Sequence, residues 1–369
     1  METAILSREN FGALFESLNK LGYSIVGPTI KDGAIIYDRL QEVSDLPIGW
    51  TDEQTAGKYR LERRTDEALF GYNVGPHSWK KYLFPPRRRL WKANRDGKTL
   101  KIETESLPEE KLAFLGVRAC EIQAILVQDK VFQGGTHKDP YYQTQRARLI
   151  VIAANCTEAG GTCFCVSMKT GPRCTKGFDL VITEILEASR HEFVLEAGTP
   201  TGQELLAHLP VRAATPQEEQ RVDEGVANAA RQMGRHLDTS GIKELLQRNY
   251  EHPRWREVAQ RCLTCANCTI VCPTCFCSTV EDTSDLTGDH AERWRNWDSC
   301  FTMDFSHVHG GSVRSSPLSR YRQWMTHKLA SWHDQFDTSG CVGCGRCITW
   351  CPVGIDITEE TNAIRKSES

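Results

Sequence analysis

The alternation of apolar and polar positions divides the chain into regions of different character. Near the amino terminus, residues 8–21 have the spacing of a short helix, and the apolar stretches 23–26 and 34–37 are typical of strands. Farther along, the buried-strand patterns at 112–117, 147–153 and 178–182 alternate with a helical pattern at 121–131. This strand–helix–strand order predicts a sheet with parallel pairs. Residues 187–257 turn polar and charged, with helices predicted at 216–235 and 241–250.

The overall composition excludes several classes of protein. The formal net charge of -3 gives no reason to expect nucleic acid as a partner. No apolar run approaches the roughly 20 residues that span a bilayer, so we expect no membrane span. The chain has sixteen cysteines, but it is long and starts without a secretory pattern, which disfavours a disulfide scaffold. We therefore expect a cytoplasmic protein whose cysteines bind metal.

Half of the cysteines form two copies of one metal-binding pattern, Cys-x2-Cys-x2-Cys-x3-Cys-Pro. The first copy is Cys262, Cys265, Cys268 and Cys272, and the second is Cys341, Cys344, Cys347 and Cys351. This is the bacterial ferredoxin run, in which the fourth cysteine of each copy ligates the other cluster. The pattern predicts two [4Fe–4S] clusters and hence electron transfer. Crossed ligation assigns Cys262, Cys265, Cys268 and Cys351 to one cluster, and Cys341, Cys344, Cys347 and Cys272 to the other. A structural zinc protein is the alternative, but zinc sites normally use two separated pairs of cysteines.

A second set of cysteines lies upstream, at the ends of predicted strands. Cys120 follows one strand and Cys156 the next, while Cys163 and Cys165 come soon after. If the two strands are parallel neighbours, these thiols meet at the carboxyl edge of the sheet, where α/β folds place their sites. We hypothesise a third [4Fe–4S] cluster there. Cys174 is an alternative ligand, and scattered buried thiols are the alternative interpretation.

A long insertion between the two ferredoxin runs carries three more cysteines, Cys275, Cys277 and Cys300. They either ligate metal together with a fourth donor or are small buried apolar groups. Together the patterns predict an α+β fold in three parts. These are an N-terminal α/β domain with a mixed sheet over residues 1–186, a helical connector over 187–257, and a two-cluster ferredoxin-like domain with a long insertion over 258–369.

Several short segments resemble a known family over nearly the whole chain. They are Leu46-Pro47-Ile48-Gly49, Tyr59-Arg60-Leu61, Gly75-Pro76-His77-Ser78-Trp79-Lys80, Leu83-Phe84-Pro85-Pro86, Gly116-Val117-Arg118-Ala119-Cys120-Glu121, Thr162-Cys163-Phe164-Cys165, Gly171-Pro172, Cys272-Pro273-Thr274-Cys275-Phe276-Cys277, Trp297-Asp298-Ser299-Cys300 and Cys341-Val342-Gly343-Cys344-Gly345-Arg346-Cys347. These segments are similar to the β subunit of cytoplasmic sulfhydrogenases, which are multisubunit [NiFe]-hydrogenases, and to the related A subunit of anaerobic sulfite reductase. The family usually has Cys-Asp where this chain has Cys120-Glu121, a change that keeps the thiol and an acid.

The resemblance implies a non-catalytic electron-transfer subunit. Such a subunit relays electrons between a flavin- and NAD(P)H-binding subunit and the hydrogenase or reductase catalytic subunits. The chain itself carries cluster motifs and no recognisable nucleotide fingerprint. Two alternatives remain at this point: the corresponding subunit of a sulfite reductase, and a thiol/disulfide redox enzyme that uses Cys275, Cys277 and Cys300.

Overall fold

The computed structural model describes residues 3–187 and 190–368, which fold into mixed strands and helices. The strands are β1 Thr3–Ser7, β2 Tyr23–Lys31, β3 Ala34–Arg39, β4 Trp50–Thr55, β5 Lys58–Arg63, β6 Arg87–Asp96, β7 Thr99–Thr104, β8 Lys111–Val117, β9 Ile150–Ala154, β10 Leu180–Glu187, β11 Arg190–Ala197, β12 Arg212–Ala213, β13 Ser278–Ser284, β14 His290–Trp297, β15 His307–Val308 and β16 Gly311–Ser312. The helices are α1 Gly12–Lys20, α2 Lys80–Leu83, α3 Ala119–Gln133, α4 Pro140–Ala147, α5 Pro200–Ala207, α6 Pro216–Arg231, α7 Ile242–Arg248, α8 Arg254–Arg261, α9 Asn267–Ile270, α10 Pro317–Thr326, α11 Trp332–Phe336, α12 Arg346–Thr349 and α13 Ile357–Lys366.

An eight-stranded sheet organises the first half of the chain. Its order is β12-β1-β11-β10-β9-β8-β2-β3. The neighbours β2 and β8, β8 and β9, and β9 and β10 are parallel, and the remaining pairs are antiparallel. The mixed sheet predicted from the sequence is therefore confirmed. Strands β8 and β9 are buried along almost their whole length because apolar clusters cover both faces of the sheet, as parallel strands require.

The sheet continues past residue 186, where the sequence pattern placed the end of the α/β domain. Strand β11 pairs with β10 and with β1, so the region predicted as a helical connector begins inside the sheet. The reason is the buried apolar run Phe193-Val194-Leu195, which polar neighbours mask in the sequence pattern. The two helices predicted in this region form as α6 and α7. The domain limits at 186 and 257 stay predictions.

The long insertion is not a separate module. Its hairpin β13–β14 joins strands β6 and β7 from the first half of the chain, giving a sheet of order β13-β14-β6-β7. The pairing of β14 with β6 runs from His290↔Asn94 to Asn296↔Arg87, with one irregularity between Arg293 and Trp294. The guanidinium of Arg87 lies 4.2 Å from the ring centre of Trp294. This sheet ties the insertion to the N-terminal half.

A second hydrophobic core surrounds the ferredoxin-type cysteines. It combines apolar side chains of α7, α8, α10 and α13, among them the buried Trp255, Tyr321 and Trp324. Between α10 and α11 the chain forms a π-helical segment, His327–Ser331. π-Helical segments are rare and often occur at functional sites. Within the described ranges, none of the helices has both the length and the apolar character needed to cross a membrane.

Candidate metal centres

The first ferredoxin run forms a tight loop between two helices. Cys262 ends α8, and Thr264 and Ala266 adopt positive φ angles of 51° and 68° before α9 begins. Left-handed backbone is unfavourable for residues with a side chain and concentrates at functional sites, where it turns the chain sharply. One result is that the Thr264 amide lies 3.4 Å from the Cys262 sulfur and donates to it.

The second run repeats this backbone shape with different residues. Gly343 and Gly345 occupy the two left-handed positions, with φ angles of 66° and 75°, and α12 follows as α9 follows the first run. The Gly343 amide donates to the Cys341 sulfur at 3.4 Å. Amides aimed at sulfur are the hydrogen bonds by which a protein stabilises thiolates and tunes a cluster. The two runs are therefore built for the same chemistry.

The first predicted ligand set comes together in space. Cys262, Cys265, Cys268 and Cys351 line one cavity, with Cys347 at its edge. Burial raises the pKa of Cys268, and the neighbouring thiols of Cys262, Cys351 and Cys265 raise it further. The cavity is walled by the aromatic side chains of Phe301, Tyr321 and Trp324. It fits a group that four thiolates bind beside an aromatic wall.

The second predicted set also comes together. Burial raises the pKa of Cys347, and the thiols of Cys341, Cys344 and Cys272 contribute to the shift because they are close by. Cys272, from the first run, thus faces three cysteines of the second. Both sets match the crossed pattern expected from the sequence, although their role as ligands stays a prediction.

A buried lysine lies against the second set, and sequence reasoning missed it. The Lys328 ammonium is 3.2 Å from the Cys272 sulfur, 3.1 Å from Thr274 Oγ1 and 3.0 Å from the Gly340 carbonyl oxygen. Burial alone would lower the pKa of Lys328, but the thiols of Cys272 and Cys275 raise it well above its usual value. A hydrogen bond from Cys275 and the charge of Lys328 lower the pKa of Cys272. No signal in the sequence marks Lys328, because polar residues surround it in α10 and in the π-helical segment.

The upstream cysteines meet where the sequence predicted. Cys120 follows β8 and Cys156 follows β9, and these strands are parallel neighbours. Together with Cys163 and Cys165 they line one pocket, which also contains Cys344 of the second set. Burial raises the pKa of Cys120, with contributions from Cys165 and Cys344. A third set of four thiols thus lies directly beside the second.

Cys174, the alternative ligand, takes no part in this pocket. It packs in the hydrophobic cluster on one face of the main sheet, with Val151 and Phe178 among its neighbours in the cluster. Its amide donates to Asn155 Oδ1 at 2.8 Å. The pKa of Cys174 is raised by burial and by the nearby Cys156 thiol. The pocket is lined by Cys120, Cys156, Cys163 and Cys165, and the choice of these four over Cys174 as ligands stays a prediction.

Close backbone contacts join the third set to the second ferredoxin run. The Phe164 amide donates to the Gly343 carbonyl at 2.9 Å. A Cβ atom on Gly343 would lie 2.6 Å from the Phe164 carbonyl oxygen, so only glycine fits there. The loop that carries Cys163 and Cys165 is thereby held against the second run.

A buried ion pair reinforces this junction. Arg346, between Cys344 and Cys347, pairs with Glu121, which follows Cys120, and both side chains are almost fully buried. Glu121 also accepts hydrogen bonds from Tyr37 Oη at 2.8 Å and Trp79 Nε1 at 3.0 Å. Arg346 Nε donates to the Gly75 carbonyl at 2.9 Å and one terminal nitrogen to the His77 carbonyl at 2.9 Å, so most polar atoms of the pair have partners, as a buried ion pair requires. The acid after Cys120 thus has a structural role that sequence reasoning did not identify.

The remaining thiols lie beside the second set. Cys275, Cys277 and Cys300 line a cavity of about 300 Å³ together with Lys328. Over residues 3–187 and 190–368, no three Cys, His, Asp or Glu side chains converge as ligands of a single metal ion do. A [4Fe–4S] cube instead spreads its four thiolates over its corners, and the three thiol sets are suited to that arrangement.

Two comparisons with known proteins agree with the motifs. Residues 261–355 match the 4Fe-4S dicluster domain. The chain is similar to the sulfhydrogenase 2 subunit beta of Pyrococcus furiosus, with 28% identity over 339 residues that cover 89% of this chain and 95% of the relative. The resemblance inferred from the short segments is therefore confirmed. No solved structure matches the chain significantly.

Proposed function

We propose that this chain, which contains a 4Fe-4S dicluster domain and resembles a sulfhydrogenase β subunit, is the iron–sulfur electron-transfer subunit of a cytoplasmic multisubunit hydrogenase. In this role it relays electrons between a flavin- and NAD(P)H-binding subunit and the catalytic subunits. The observation that carries the proposal is the row of three four-thiol sets. Cys344 lies between the second and third sets, and Cys347 lies between the first and second.

Each set would hold one [4Fe–4S] cluster, which accepts and releases single electrons when bound. Cys262, Cys265, Cys268 and Cys351 hold the first, Cys341, Cys344, Cys347 and Cys272 the second, and Cys120, Cys156, Cys163 and Cys165 the third. The chain supplies thiolates, amides that donate to sulfur, and aromatic walls that exclude water. For the second set it also supplies the Lys328 charge.

The first site lies at the surface, where a redox partner can reach it. Cys265 is exposed, whereas the other fifteen of the sixteen cysteines, all within the described ranges, are buried or half-buried. Leu263 is 61% exposed, and the nearby Ile270 and Val353 are also exposed. Exposed apolar groups beside a redox site are suited to docking a partner protein. We place one end of the electron path at this surface.

The test is isolation of the native complex under anaerobic conditions, with identification of every subunit and measurement of iron per chain. We expect hydrogenase catalytic subunits, a flavoprotein and about twelve iron atoms per copy of this chain, four for each cluster. About eight iron atoms would refute the third cluster. Co-purification with sulfite reductase subunits would favour the alternative assignment, and zinc in place of iron would refute the relay.

A further inference from the structure

The cavity beside the second thiol set contains a pair of cysteines that the cluster assignment leaves unused. Cys277 and Cys300 lie at the base of the β13–β14 hairpin, where Ser278 pairs with Trp297 and the Asp298 amide donates to the Cys277 carbonyl at 2.9 Å. The hairpin fixes the spacing of the two thiols, and their side chains interact directly. They are therefore placed to form and break a bond with each other.

The electrostatics of the pair favour nucleophilic chemistry at one sulfur. Hydrogen bonding from Cys300, assisted by the charges of Lys328 and Lys80, lowers the pKa of Cys277 to about 7. The same contact raises the pKa of Cys300. A cysteine with a lowered pKa carries more thiolate at neutral pH, and thiolate is the reactive form. Cys277 is thus the attacking group and Cys300 the resolving group.

The walls of the cavity indicate what it binds. Arg314 and Lys328 line it, together with the aromatic side chains Trp324 and Trp332, and no Asp or Glu of the described ranges does. His327 also lines it, but burial lowers the pKa of its imidazole, so the positive charge comes from Arg314 and Lys328. Arg314 forms no hydrogen bond or ion pair with another described residue, which leaves its guanidinium available to an anion. The volume of about 300 Å³ suits a small molecule. A small anionic compound with an apolar part fits these walls.

We propose that Cys277 and Cys300 form a dithiol–disulfide couple that reduces a small anionic organic disulfide in this cavity. The proposal rests on the proposed function, because the relay supplies the electrons. The Cys277 thiolate attacks one sulfur of the substrate, whose S–S bond breaks and releases one thiol after protonation. Cys300 then loses its proton and attacks the Cys277 sulfur, which releases the second thiol and leaves a Cys277–Cys300 disulfide. Two electrons from the relay and two protons restore the dithiol.

The location of the couple supports its link to the relay. Cys275 interacts with Cys272 of the second set, and Cys277 and Cys300 line the same cavity as Cys275. Cys300 also lies near Cys268 of the first set. The thiol pair therefore forms a side branch between two of the predicted clusters.

The first experiment tests the exchange chemistry on the full-length protein with its iron bound, under anaerobic conditions. The probes are three small disulfides: anionic 3,3′-dithiodipropionate, neutral 2-hydroxyethyl disulfide and cationic cystamine. We expect the anionic probe to react at least about tenfold faster than the cationic one because of the basic walls. Mass spectrometry after alkylation should find a Cys277–Cys300 disulfide. Equal rates for the three probes, or no such disulfide, would overturn the proposal.

Single substitutions show which cysteine attacks the substrate and which one resolves the mixed disulfide. A control variant separates these effects from an effect on folding. Cys300→Ser should trap the probe as a mixed disulfide on Cys277, whereas Cys277→Ser should abolish the exchange. Arg314→Gln should lower the reaction rate of the anionic probe about tenfold and leave the rate of the neutral probe unchanged. Cys174→Ala, which removes a thiol from the core of the main sheet, is the matched control and should react as the unaltered protein does. If the Cys277→Ser variant still exchanges with the probes, the proposal is wrong.

The second experiment separates this inference from the relay. After the disulfide has formed, a reduced viologen is added as a one-electron donor, and the loss of the disulfide is followed together with iron content and cluster spectra. We expect the dithiol to return while the clusters remain intact. A disulfide that persists beside fully reducible clusters would refute the couple but not the relay. Absent clusters would instead refute the relay, which the exchange step alone does not require.

Discussion

Replacing Lys328 by methionine should lower the midpoint potential of one cluster. The Lys328 ammonium lies 3.2 Å from the Cys272 sulfur and is fully enclosed by protein. A cluster gains a negative charge on reduction, and a nearby positive charge stabilises that form. Methionine has a similar length and no charge, so it removes this stabilisation while filling most of the volume.

The size of the effect follows from the distance and an effective dielectric constant. The added charge lies about one metal–sulfur bond, roughly 2.3 Å, beyond the sulfur, which puts it about 5.5 Å from the ammonium. At an effective dielectric constant of about 20, a unit charge at that distance contributes about 3 kcal/mol. For a one-electron couple this corresponds to a decrease of roughly 130 mV.

The assay is a redox titration of the anaerobic protein, followed by electron paramagnetic resonance. Lys80→Met is the matched control: Lys80 is equally buried, but its ammonium donates to the carbonyl oxygens of Ile270 and Cys275 and touches no sulfur. We expect Lys80→Met to shift the midpoint potential less than Lys328→Met does. Lys328→Arg keeps the charge and should have a midpoint potential near that of the unaltered protein. With iron content unchanged, a shift below about 20 mV for Lys328→Met would refute the reasoning.

Three further predictions test the sites and their connection. Cys163→Ser should reduce iron from about twelve to about eight atoms per chain, whereas Cys174→Ala should leave it unchanged; equal losses would contradict the third ligand set. Glu121→Gln should lower the free energy of unfolding by about 3–5 kcal/mol in anaerobic urea titrations, because it strands a buried guanidinium. The same change at the exposed Glu110 should cost less than about 1 kcal/mol, and similar costs at both positions would refute this account. Leu263→Glu should slow electron exchange with the co-purified partner without changing iron content, as stopped-flow reduction would show; an unchanged rate would remove this surface from the path.

The central part of the fold was predictable because its strands are buried on both faces. The runs at 112–117 and 147–153 are almost wholly apolar, and the structure has strands at Lys111–Val117 and Ile150–Ala154. Strand β11 was missed because its short apolar run, Phe193-Val194-Leu195, is flanked by charged residues within a polar region. The pairing of β6 with β14 could not be predicted, since it joins segments far apart in sequence and depends on the tertiary arrangement.

The cysteine sets were predictable because their spacing in sequence determines their chemistry. Two parallel strands that each end in a cysteine bring Cys120 and Cys156 to one edge, and the ferredoxin runs carry their own pattern. The charges around them were not predictable. Lys328 reaches Cys272 only because the chain between the two runs folds back, and a buried lysine has no sequence signature of its own.

The third thiol set and the ferredoxin-type region form one unit. The loop with Cys163 and Cys165 lies so close to Gly343 that no side chain fits between them, and Arg346 reaches into the first half of the chain to pair with Glu121. Because these contacts come from the second ferredoxin run itself, any movement of that run would displace the neighbouring pocket as well. The spacing between the second and third sites is therefore fixed by backbone and buried charge. In the proposed relay, neighbouring sites held in this way set the direction of electron flow by potential alone, and we predict that Lys328 acts on the potential of the middle site.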